Sequence, residues 1–366
     1  MNKEKVLRVE NISVEFQVRG RTFQAIRNIS VDLYKGEVLA LVGESGSGKS
    51  VFMKILTGML EDNGQVSNGQ VLYDNKILTQ IQTDKEWAEI RGKEIATIFQ
   101  DPMTSLDPLM TIGKQISEVI IKHQGKTKSE AKRIAIDLMK RVGIPHAKAR
   151  FDDYPFQYSG GMRQRIVIAI ALACKPKILI CDEPTTALDV TIQAQILALI
   201  KELQQEFKFT IFFITHDLGI VASIADKVAV MYSGEIVEYG EVQEIFYDPK
   251  HPYTWSLLSS LPQLSRKEEE LFSISGSPPS LFTEIKGDAF AARNPYAMEI
   301  DFEEAPPKFE VTPTHWAKTW LLDERAPELE KPEVIQNIHE KLKNLLRFKV
   351  EYHCAKLEAH KGGREW

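Results

Sequence analysis

Apolar positions along the chain follow two different periods. Residues Val6 to Tyr34 alternate apolar and polar positions around a turn near Gly20, which predicts antiparallel strands with one exposed face. Val38 to Val42 is instead a nearly continuous apolar run bounded by glycines, a pattern typical of a strand buried on both faces. Similar runs recur at Ile95 to Phe99, Ile178 to Cys181 and Ile211 to Ile214. Because helical stretches lie between these runs, they predict a parallel α/β sheet.

A helical segment interrupts the α/β pattern. Residues Thr111 to Val142 predict helices, one of which begins with the capping box Thr127-Lys128-Ser129-Glu130 and ends at Gly143. We therefore expect a helical insertion within the α/β unit.

The pattern also suggests where the chain divides. Lys227 to Tyr232 and Glu235 to Tyr239 flank Ser233-Gly234, which predicts a hairpin, and prolines break the regular pattern after it. A boundary near residue 245 follows. The last forty residues are rich in Glu and Lys and predict a charged helix with a frayed end. We expect an α/β core (1–100 plus 166–245), a helical subdomain (101–165), a C-terminal region (246–326) and a charged helical tail (327–366).

Composition narrows the class of protein. The chain of 366 residues has 46 Lys and Arg against 51 Asp and Glu, a net charge of −5, so we expect no nucleic-acid partner. Its three cysteines, Cys174, Cys181 and Cys354, have no CxxC spacing, which favours a reducing compartment. The longest apolar run, Ile166 to Cys174, is far shorter than the roughly 18 residues that span a bilayer. We expect a cytosolic chain without a signal peptide that reaches a membrane only through a partner.

The strongest chemical signal is a glycine-rich segment directly after the buried run that ends at Val42. It fits the pattern G-x-x-x-x-G-K-[ST] and consists of Gly43, Glu44, Ser45, Gly46, Ser47, Gly48, Lys49 and Ser50. Such a loop at a helix N-terminus points backbone N–H groups at phosphate oxygens, since glycine leaves room for their approach. Lys49 adds a positive charge, and the Ser50 hydroxyl is expected to ligate Mg²⁺. A mere flexible turn is the alternative, which the preceding strand disfavours.

Two carboxylates end another predicted strand. Asp182 and Glu183 follow the apolar run Ile178 to Cys181. Open α/β sheets bind ligands at the carboxyl ends of their strands. We therefore expect Asp182 to serve the Mg²⁺ shell and Glu183 to polarise the attacking water. On their own, the two residues could equally be solvated groups at a strand end.

A third segment combines a helix cap with two glycines. Ser159 can cap the apolar helix that follows, and Gly160 and Gly161 leave its first N–H groups open to an anion. A plain helix cap is the alternative interpretation. The residues by themselves do not indicate what this segment contacts.

In this order the motifs resemble those of the ATP-binding-cassette (ABC) ATPases over roughly residues 5 to 245. The resemblance includes two further motifs, Ala187-Leu188-Asp189 and Thr215-His216-Asp217. The details Gln100 to Pro108, Ser159 to Arg165 and His251 to Thr254 are similar to the oligopeptide and dipeptide importer branch, in particular to D-type subunits of Gram-positive bacteria. The resemblance implies a P-loop NTPase fold, with an antiparallel β subdomain, a helical subdomain and a C-terminal extension.

The resemblance also implies roles for individual residues and makes ATP and Mg²⁺ the cofactors. Gln100 becomes the residue that senses Mg²⁺ and the attacking water, and His216 the switch histidine. Ser159 to Gly161 becomes the signature that clasps the γ-phosphate held by a partner's phosphate loop, and Asp189 a residue that crosses that interface. An aromatic platform for adenine is expected at Phe16, with Phe23 as the alternative.

The chain departs from the family pattern at several positions. The common signature L-S-G-G-Q has Tyr158 and Met162 at its ends here, and Met162 is usual in the peptide branch. Many relatives also carry four cysteines that resemble an iron–sulfur site. The matching positions here are Asp288, Asn294, Asp301 and Thr319. Thiolates hold such clusters, so we expect no iron–sulfur cluster.

The resemblance leads to a functional expectation. We expect an ATP-hydrolysing subunit that powers oligopeptide import from the cytoplasmic face of the membrane, as a heterodimer with a second ATPase subunit. Two integral permeases and an extracytoplasmic peptide-binding lipoprotein would complete the importer. Alternatives are importers of dipeptides, nickel or another small cargo, a soluble ABC ATPase acting on DNA or ribosomes, and a non-hydrolysing subunit.

Overall fold

The chain is described by a computed structural model that covers residues 4–186, 188–261, 274–280, 282–336 and 338. It divides into two compact units, Met1–Glu235 and Ile236–Trp366. The expected division into core, helical subdomain, C-terminal region and tail stays a prediction. Within the described part of the chain, no helix is long and apolar enough to cross a membrane.

The elements are numbered in chain order. The strands are β1 (Lys5–Val18), β2 (Arg21–Tyr34), β3 (Val38–Val42), β4 (Gly64–Tyr73), β5 (Lys76–Ile77), β6 (Ile95–Ile98), β7 (Ile178–Asp182), β8 (Thr210–Thr215), β9 (Lys227–Tyr232), β10 (Glu235–Glu241), β11 (Phe309–Glu310) and β12 (Trp316–Ala317). The α-helices are α1 (Lys49–Thr57), α2 (Asp84–Ala88), α3 (Pro102–Ser105), α4 (Ile112–Gln124), α5 (Lys128–Arg141), α6 (Gly160–Leu172), α7 (Val190–Phe207), α8 (Leu218–Ile224), α9 (Val242–Tyr247), α10 (Pro252–Ser259), α11 (Glu299–Glu303) and α12 (Glu333–Gln336). Short 3-10 helices lie at Leu78–Gln80, Arg150–Asp152, Pro155–Gln157, Ala291–Arg293 and Trp320–Leu322.

An antiparallel sheet opens the first unit, in the order β2-β1-β4-β5. The alternation from Val6 to Tyr34 correctly predicts the pairing of β1 with β2, in which Val18 lies opposite Arg21 across the turn at Gly20. The pattern does not predict β4, which pairs with the other edge of β1 and places Val71 opposite Val9. Val9 and Val71 are both buried, so the two strands share one apolar face.

The second sheet of this unit confirms the predicted parallel core. Its strands lie in the order β9-β3-β8-β7-β6, and all adjacent pairs are parallel. Every residue of β3 is buried, as the continuous apolar run predicts. In the ladder, Val42 lies opposite Thr215, and Asp182 lies opposite Ile214. The strands therefore end together, and the residues that follow them meet at one edge.

The predicted helical insertion is present as α4 and α5. Thr127 and Glu130 form the expected capping box of α5, and Gly143 follows the helix with φ +79°. Buried residues of α4 and α5, such as Ile116 and Met139, belong to the same apolar core as residues of α6. The insertion is therefore tied through α6 to the core of the α/β sheet.

The second unit contains β10, β11 and β12 with short helices. Strand β12 pairs with β10, placing Ala317 opposite Glu238. Glu238 is completely buried, and its carboxylate accepts hydrogen bonds from His315 Nε2 at 2.8 Å and from the N–H groups of Lys250 and His251 at 2.6 and 3.1 Å. Helix α12 lies within the predicted charged tail (327–366), and most of the tail lies outside the described part of the chain.

Candidate functional site

The sheet brings four separate segments to one edge. The phosphate loop, Gly43–Ser50, follows β3, and Gln100 lies two residues beyond β6. Glu183 follows β7 directly, and His216 follows β8 directly. Because these strands are parallel and in register, residues far apart in the sequence converge at their carboxyl ends.

The phosphate loop has the conformation that its glycines predict. Gly46 and Gly48 have φ of +81° and +107°, a region that residues with a Cβ rarely adopt. Lys49 begins α1, is buried, and donates from Nζ to the carbonyl oxygens of Gly43 and Glu44 at 2.8 and 2.9 Å. Burial lowers the pKa of Lys49, whereas the nearby carboxylates, Glu183 first, act in the opposite direction.

The phosphate loop ends with a single hydroxyl in the first turn of α1. The residue that follows Ser50 at position 51 is Val51. A valine side chain has no oxygen atom for phosphate or for Mg²⁺. Ser50 is exposed, and its hydroxyl is the one that this helix start offers to a metal ion.

Glu183 is held from three directions. Its carboxylate accepts from Gln100 Nε2 at 3.1 Å and from Thr186 Oγ1 at 3.0 Å, and its other oxygen lies 2.9 Å from Nδ1 of His216. The backbone of Glu183 has φ +46°, a strained value for a residue with a side chain. The structure thus unites the predicted catalytic residues Gln100, Glu183 and His216. Sequence reasoning missed Thr186, whose only signal was its position three residues after Glu183.

Asp182 lies beside Glu183 in a partly buried position. Burial raises the pKa of Asp182, with the charge of Glu183 as the second cause, and Lys49 acts in the opposite direction. Two adjacent carboxylates near a strand end form an anionic site that a divalent cation would stabilise. Oxygen ligands of the kind Asp182, Ser50 and Gln100 offer are the ones that Mg²⁺ prefers. The donor set therefore fits the predicted Mg²⁺ shell.

The segment Ser159–Gly161 forms the start of α6. Ser159 Oγ accepts from the N–H of Met162 at 3.4 Å, so the predicted cap is present but long. A Cβ on Gly161 would lie 2.6 Å from Cγ2 of Ile192 in α7, which explains a glycine there by packing. Asp189 caps α7 and accepts from the N–H groups of Thr191 and Ile192 at 3.1 and 3.0 Å. The starts of α6 and α7 therefore lie close together.

Tyr158 precedes the segment Ser159–Gly161, and the structure explains its presence there by contacts that the sequence did not reveal. Its ring is buried, and its hydroxyl donates to the carbonyl oxygen of Arg150 at 2.6 Å. The guanidinium of Arg150 lies 4.1 Å from the ring centroid and donates to the carbonyl oxygen of Gln157 at 2.8 Å. Burial raises the pKa of Tyr158 to about 12. Tyr158 thus anchors the turn that leads into α6.

The two candidate adenine platforms lie against each other. The rings of Phe16 and Phe23 stack with centroids 5.5 Å apart and planes 13° apart. Phe16 is 6% exposed and also contacts Gly64, where a Cβ would lie 2.7 Å from its ring. Phe23 is half-buried and therefore presents the more accessible ring of the pair.

The positions that match a family iron–sulfur site do not fit a cluster. Asp288, Asn294, Asp301 and Thr319 offer oxygen and nitrogen atoms and no thiolates. Each of these side chains accepts a hydrogen bond from a nearby backbone N–H, at distances from 2.7 to 3.3 Å. They act as local turn and cap residues.

Two segments of the chain match models of known protein families. Residues 26–186 match the family model described as ABC transporter, and residues 237–300 match the one described as oligopeptide/dipeptide transporter, C-terminal region. The chain is 66% identical over 350 residues to the oligopeptide transport ATP-binding protein AmiE of Streptococcus pneumoniae, covering 95% of this chain and 99% of the relative. It is 54% identical to the oligopeptide transport ATP-binding protein OppD of Bacillus subtilis, covering 93% and 95%.

A dipeptide relative and solved cassettes agree with this placement. The dipeptide transport ATP-binding protein DppD of Lactococcus lactis is 59% identical, covering 90% of this chain and 94% of the relative. A dimeric structure of the ATP-binding cassette MJ0796 bound to ADP and Pi matches with a TM-score of 0.57 and 27% identity, covering 64% of this chain and 98% of that one. The chain therefore belongs to the ABC transporter ATPases, in the branch that carries the oligopeptide/dipeptide transporter C-terminal region.

Proposed function

We propose that this chain hydrolyses ATP to power the import of oligopeptides through membrane permeases. The observation that carries the proposal is the position of Glu183, which Gln100 and His216 hold at the sheet edge from which the phosphate loop emerges. The oligopeptide and dipeptide transport relatives, similar over nearly the whole chain, support peptides as the cargo.

The residues at this edge divide the chemistry between them. The backbone N–H groups of the phosphate loop and the ammonium of Lys49 bind the ATP phosphates. Lys49 then exchanges its bonds to two loop carbonyls for phosphate oxygens. Glu183 orients and deprotonates the attacking water, and His216 and Gln100 hold its carboxylate in place. Little covalent help is needed, because positioning and charge neutralisation supply most of the acceleration in phosphoryl transfer.

Mg²⁺ is the metal that the site suits. Ser50, Gln100 and Asp182 would hold it by oxygen atoms. When bound, it supplies charge neutralisation for the phosphate oxygens. Burial and the charge of Glu183 destabilise the Asp182 carboxylate and so raise its pKa, and a bound cation would offset that destabilisation.

A second ATPase subunit completes the site in this proposal. Ser159, Gly160 and Asp189 are exposed at the starts of α6 and α7, and the next residue, Val190, is an 80% exposed apolar side chain. An anion-binding helix start beside an exposed apolar residue suits contact with another subunit. The dimeric MJ0796 cassette with ADP and Pi supports a site made in a dimer. Ser159 to Gly161 would clasp the γ-phosphate held by the partner's phosphate loop, and Asp189 would cross the interface.

The adenine base is proposed to stack on the pair of Phe16 and Phe23. Phe16 remains the proposed platform, and the greater exposure of Phe23 keeps that residue as the alternative. Aromatic rings give a base a large contact area at a fixed distance.

Two integral permeases and an extracytoplasmic peptide-binding lipoprotein are the proposed partners, with the chain at the cytoplasmic face of the membrane. The test is to tag the chain in its native cells, solubilise the membranes gently and identify the stoichiometric partners by mass spectrometry. We expect two permeases, a second cassette ATPase and a peptide-binding lipoprotein. Ribosomal or DNA-bound partners without any permease would contradict the proposal.

A further inference from the structure

A tight turn after β9 lies against the phosphate loop. The backbone N–H of Gly234 donates to the carbonyl oxygen of Ser47 at 2.8 Å. The carbonyl oxygen of Gly234 accepts from the N–H of Arg27 in β2 at 2.7 Å. Through its two backbone groups, Gly234 therefore joins the phosphate loop to β2.

Arg27 fixes the turn a second time through its side chain. Its Nε donates to the carbonyl oxygen of Ser233 at 2.9 Å. Its Nη2 lies 3.7 Å from Oε2 of Glu235, and the side chain is only 18% exposed. A hydrogen bond from a charged donor is stronger than one between neutral groups, especially where water is largely excluded. Arg27 thus donates hydrogen bonds to the carbonyl oxygens of both turn residues, from its backbone N–H to Gly234 and from its side chain to Ser233.

The turn needs glycine for two separate reasons. Gly234 has φ +83°, and Ser233 before it has φ +44°, as in the tight turns that favour glycine. A Cβ on Gly234 would also lie 2.5 Å from the carbonyl oxygen of Ala25. Because that neighbour is backbone, a side chain at 234 would have to displace the turn from β2.

Glycines of the phosphate loop approach the same two strands. A Cβ on Gly48 would lie 2.7 Å from Cε of Met231 and 3.1 Å from the carbonyl oxygen of Ala25. A Cβ on Gly43 would lie 2.1 Å from the carbonyl oxygen of Met231. These glycines therefore serve close packing on β2 and β9 as well as room for phosphate. The phosphate loop is therefore fixed by this packing on β2 and β9 as well as by the hydrogen bond between Ser47 and the turn.

We propose that the Ser233–Gly234 turn, held by hydrogen bonds from Arg27, is a positioning element that keeps the phosphate loop in its binding conformation before ATP binds. The inference rests on the proposed function, in which this loop binds the ATP phosphates. A ligand site that is already arranged binds more tightly, because its ordering cost is not incurred on binding. Loss of one such hydrogen bond corresponds to an affinity about two- to tenfold lower.

The test compares two glycine substitutions in the full-length chain. Gly234→Ala places a side chain at positive φ and against β2. Gly125→Ala is the matched control, since Gly125 has φ +63° with no atom within 4 Å of its Cβ position. The dissociation constant for ATP with Mg²⁺ is measured by isothermal titration calorimetry, and the unfolding midpoint without nucleotide is measured in parallel. A purely structural role would move the unfolding midpoint and leave ATP affinity of the folded chain unchanged.

We expect Gly234→Ala to weaken ATP binding at least threefold, and Gly125→Ala to bind within twofold of the wild type, even where both lower the unfolding midpoint. Folded Gly234→Ala with wild-type affinity, or an equal loss in both variants, would overturn the inference. If Gly234→Ala does not fold, Arg27→Met decides by the same criterion, since it removes the charged donor to Ser233. Failure of the wild-type chain to bind ATP would instead refute the proposed function, and this inference with it.

Discussion

Replacing Glu183 by Gln tests the proposed catalytic base. The amide has nearly the same shape as the carboxylate, and its oxygen can still accept from Gln100 and Thr186, which lie 3.1 and 3.0 Å from one Glu183 oxygen. Its NH₂ group can donate to Nδ1 of His216, which lies 2.9 Å from the other oxygen. The substitution therefore keeps the local geometry and removes the negative charge and the basicity.

The expected effect falls on the chemical step. A positioned general base contributes about 10²- to 10⁴-fold to a rate, which corresponds to about 2.7 to 5.5 kcal/mol of activation free energy. ATP binding should be as tight as in the wild type or tighter, because a negative charge near Lys49 and the phosphates is lost. The variant should thus bind ATP and hydrolyse it very slowly.

The assay measures ATP hydrolysis by the co-purified assembly and ATP affinity of the purified chain. Glu202→Gln, an exposed substitution in α7, is the control for loss of one carboxylate elsewhere. We expect turnover at the Glu183 site to fall at least a hundredfold, and the control to keep wild-type turnover. Wild-type turnover in the Glu183→Gln assembly would refute the assignment of the base.

Three predictions concern stability, each measured by chemical denaturation. Burial lowers the pKa of His251 to about 3, whereas an unfolded His has a pKa of about 6.5. Protons then bind the unfolded state preferentially, so stability falls as pH drops below about 6.5, by about 2 kcal/mol at pH 5. His251→Asn should remove this contribution to the loss of stability between pH 7 and pH 5, whereas His146→Asn, at an exposed position, should not. An unchanged dependence of stability on pH in His251→Asn would contradict the prediction. Glu238→Ala leaves a buried histidine and two backbone N–H groups without their acceptor and should cost about 3 to 5 kcal/mol, so a loss under about 1 kcal/mol would argue against a stabilising cluster. Tyr158→Phe leaves the Arg150 carbonyl without its 2.6 Å donor and should cost about 1 to 3 kcal/mol, and unchanged stability would count against this anchor.

Local sequence patterns were enough to predict the sheet edge at which the candidate site lies. The apolar runs of β3, β6, β7 and β8 mark buried parallel strands, and parallel strands in register end at one edge. The strand pattern therefore predicts that Glu183 lies at this edge, whereas Gln100 and His216 were assigned to the site by the resemblance to the ABC ATPases. The capping box of α5 is equally readable, because its contacts span only three residues.

Contacts between distant segments could not be read in the same way. Strand β4 pairs with β1 between positions 48 to 66 residues apart, and its sequence has no clear apolar alternation that indicates this partner. Arg27 and Ser233 are 206 positions apart, and Glu238 and His315 are 77 apart. The sequence marked Tyr158 only as a departure from the family signature, because the structural reason for this residue is a hydrogen bond to Arg150 in the 3-10 helix Arg150–Asp152. Such pairs are decided by tertiary packing and leave no periodic signal.

Peptide uptake by living cells tests the central claim most directly. Native cells in which the chain is replaced by Lys49→Ala, by exposed Lys201→Ala or by the wild type are given a radiolabelled oligopeptide and, separately, a free amino acid. Loss of the phosphate-binding ammonium should abolish peptide uptake and leave amino-acid uptake intact, and Lys201→Ala should behave as the wild type. Undiminished peptide uptake in Lys49→Ala cells that have no second peptide importer would contradict the account.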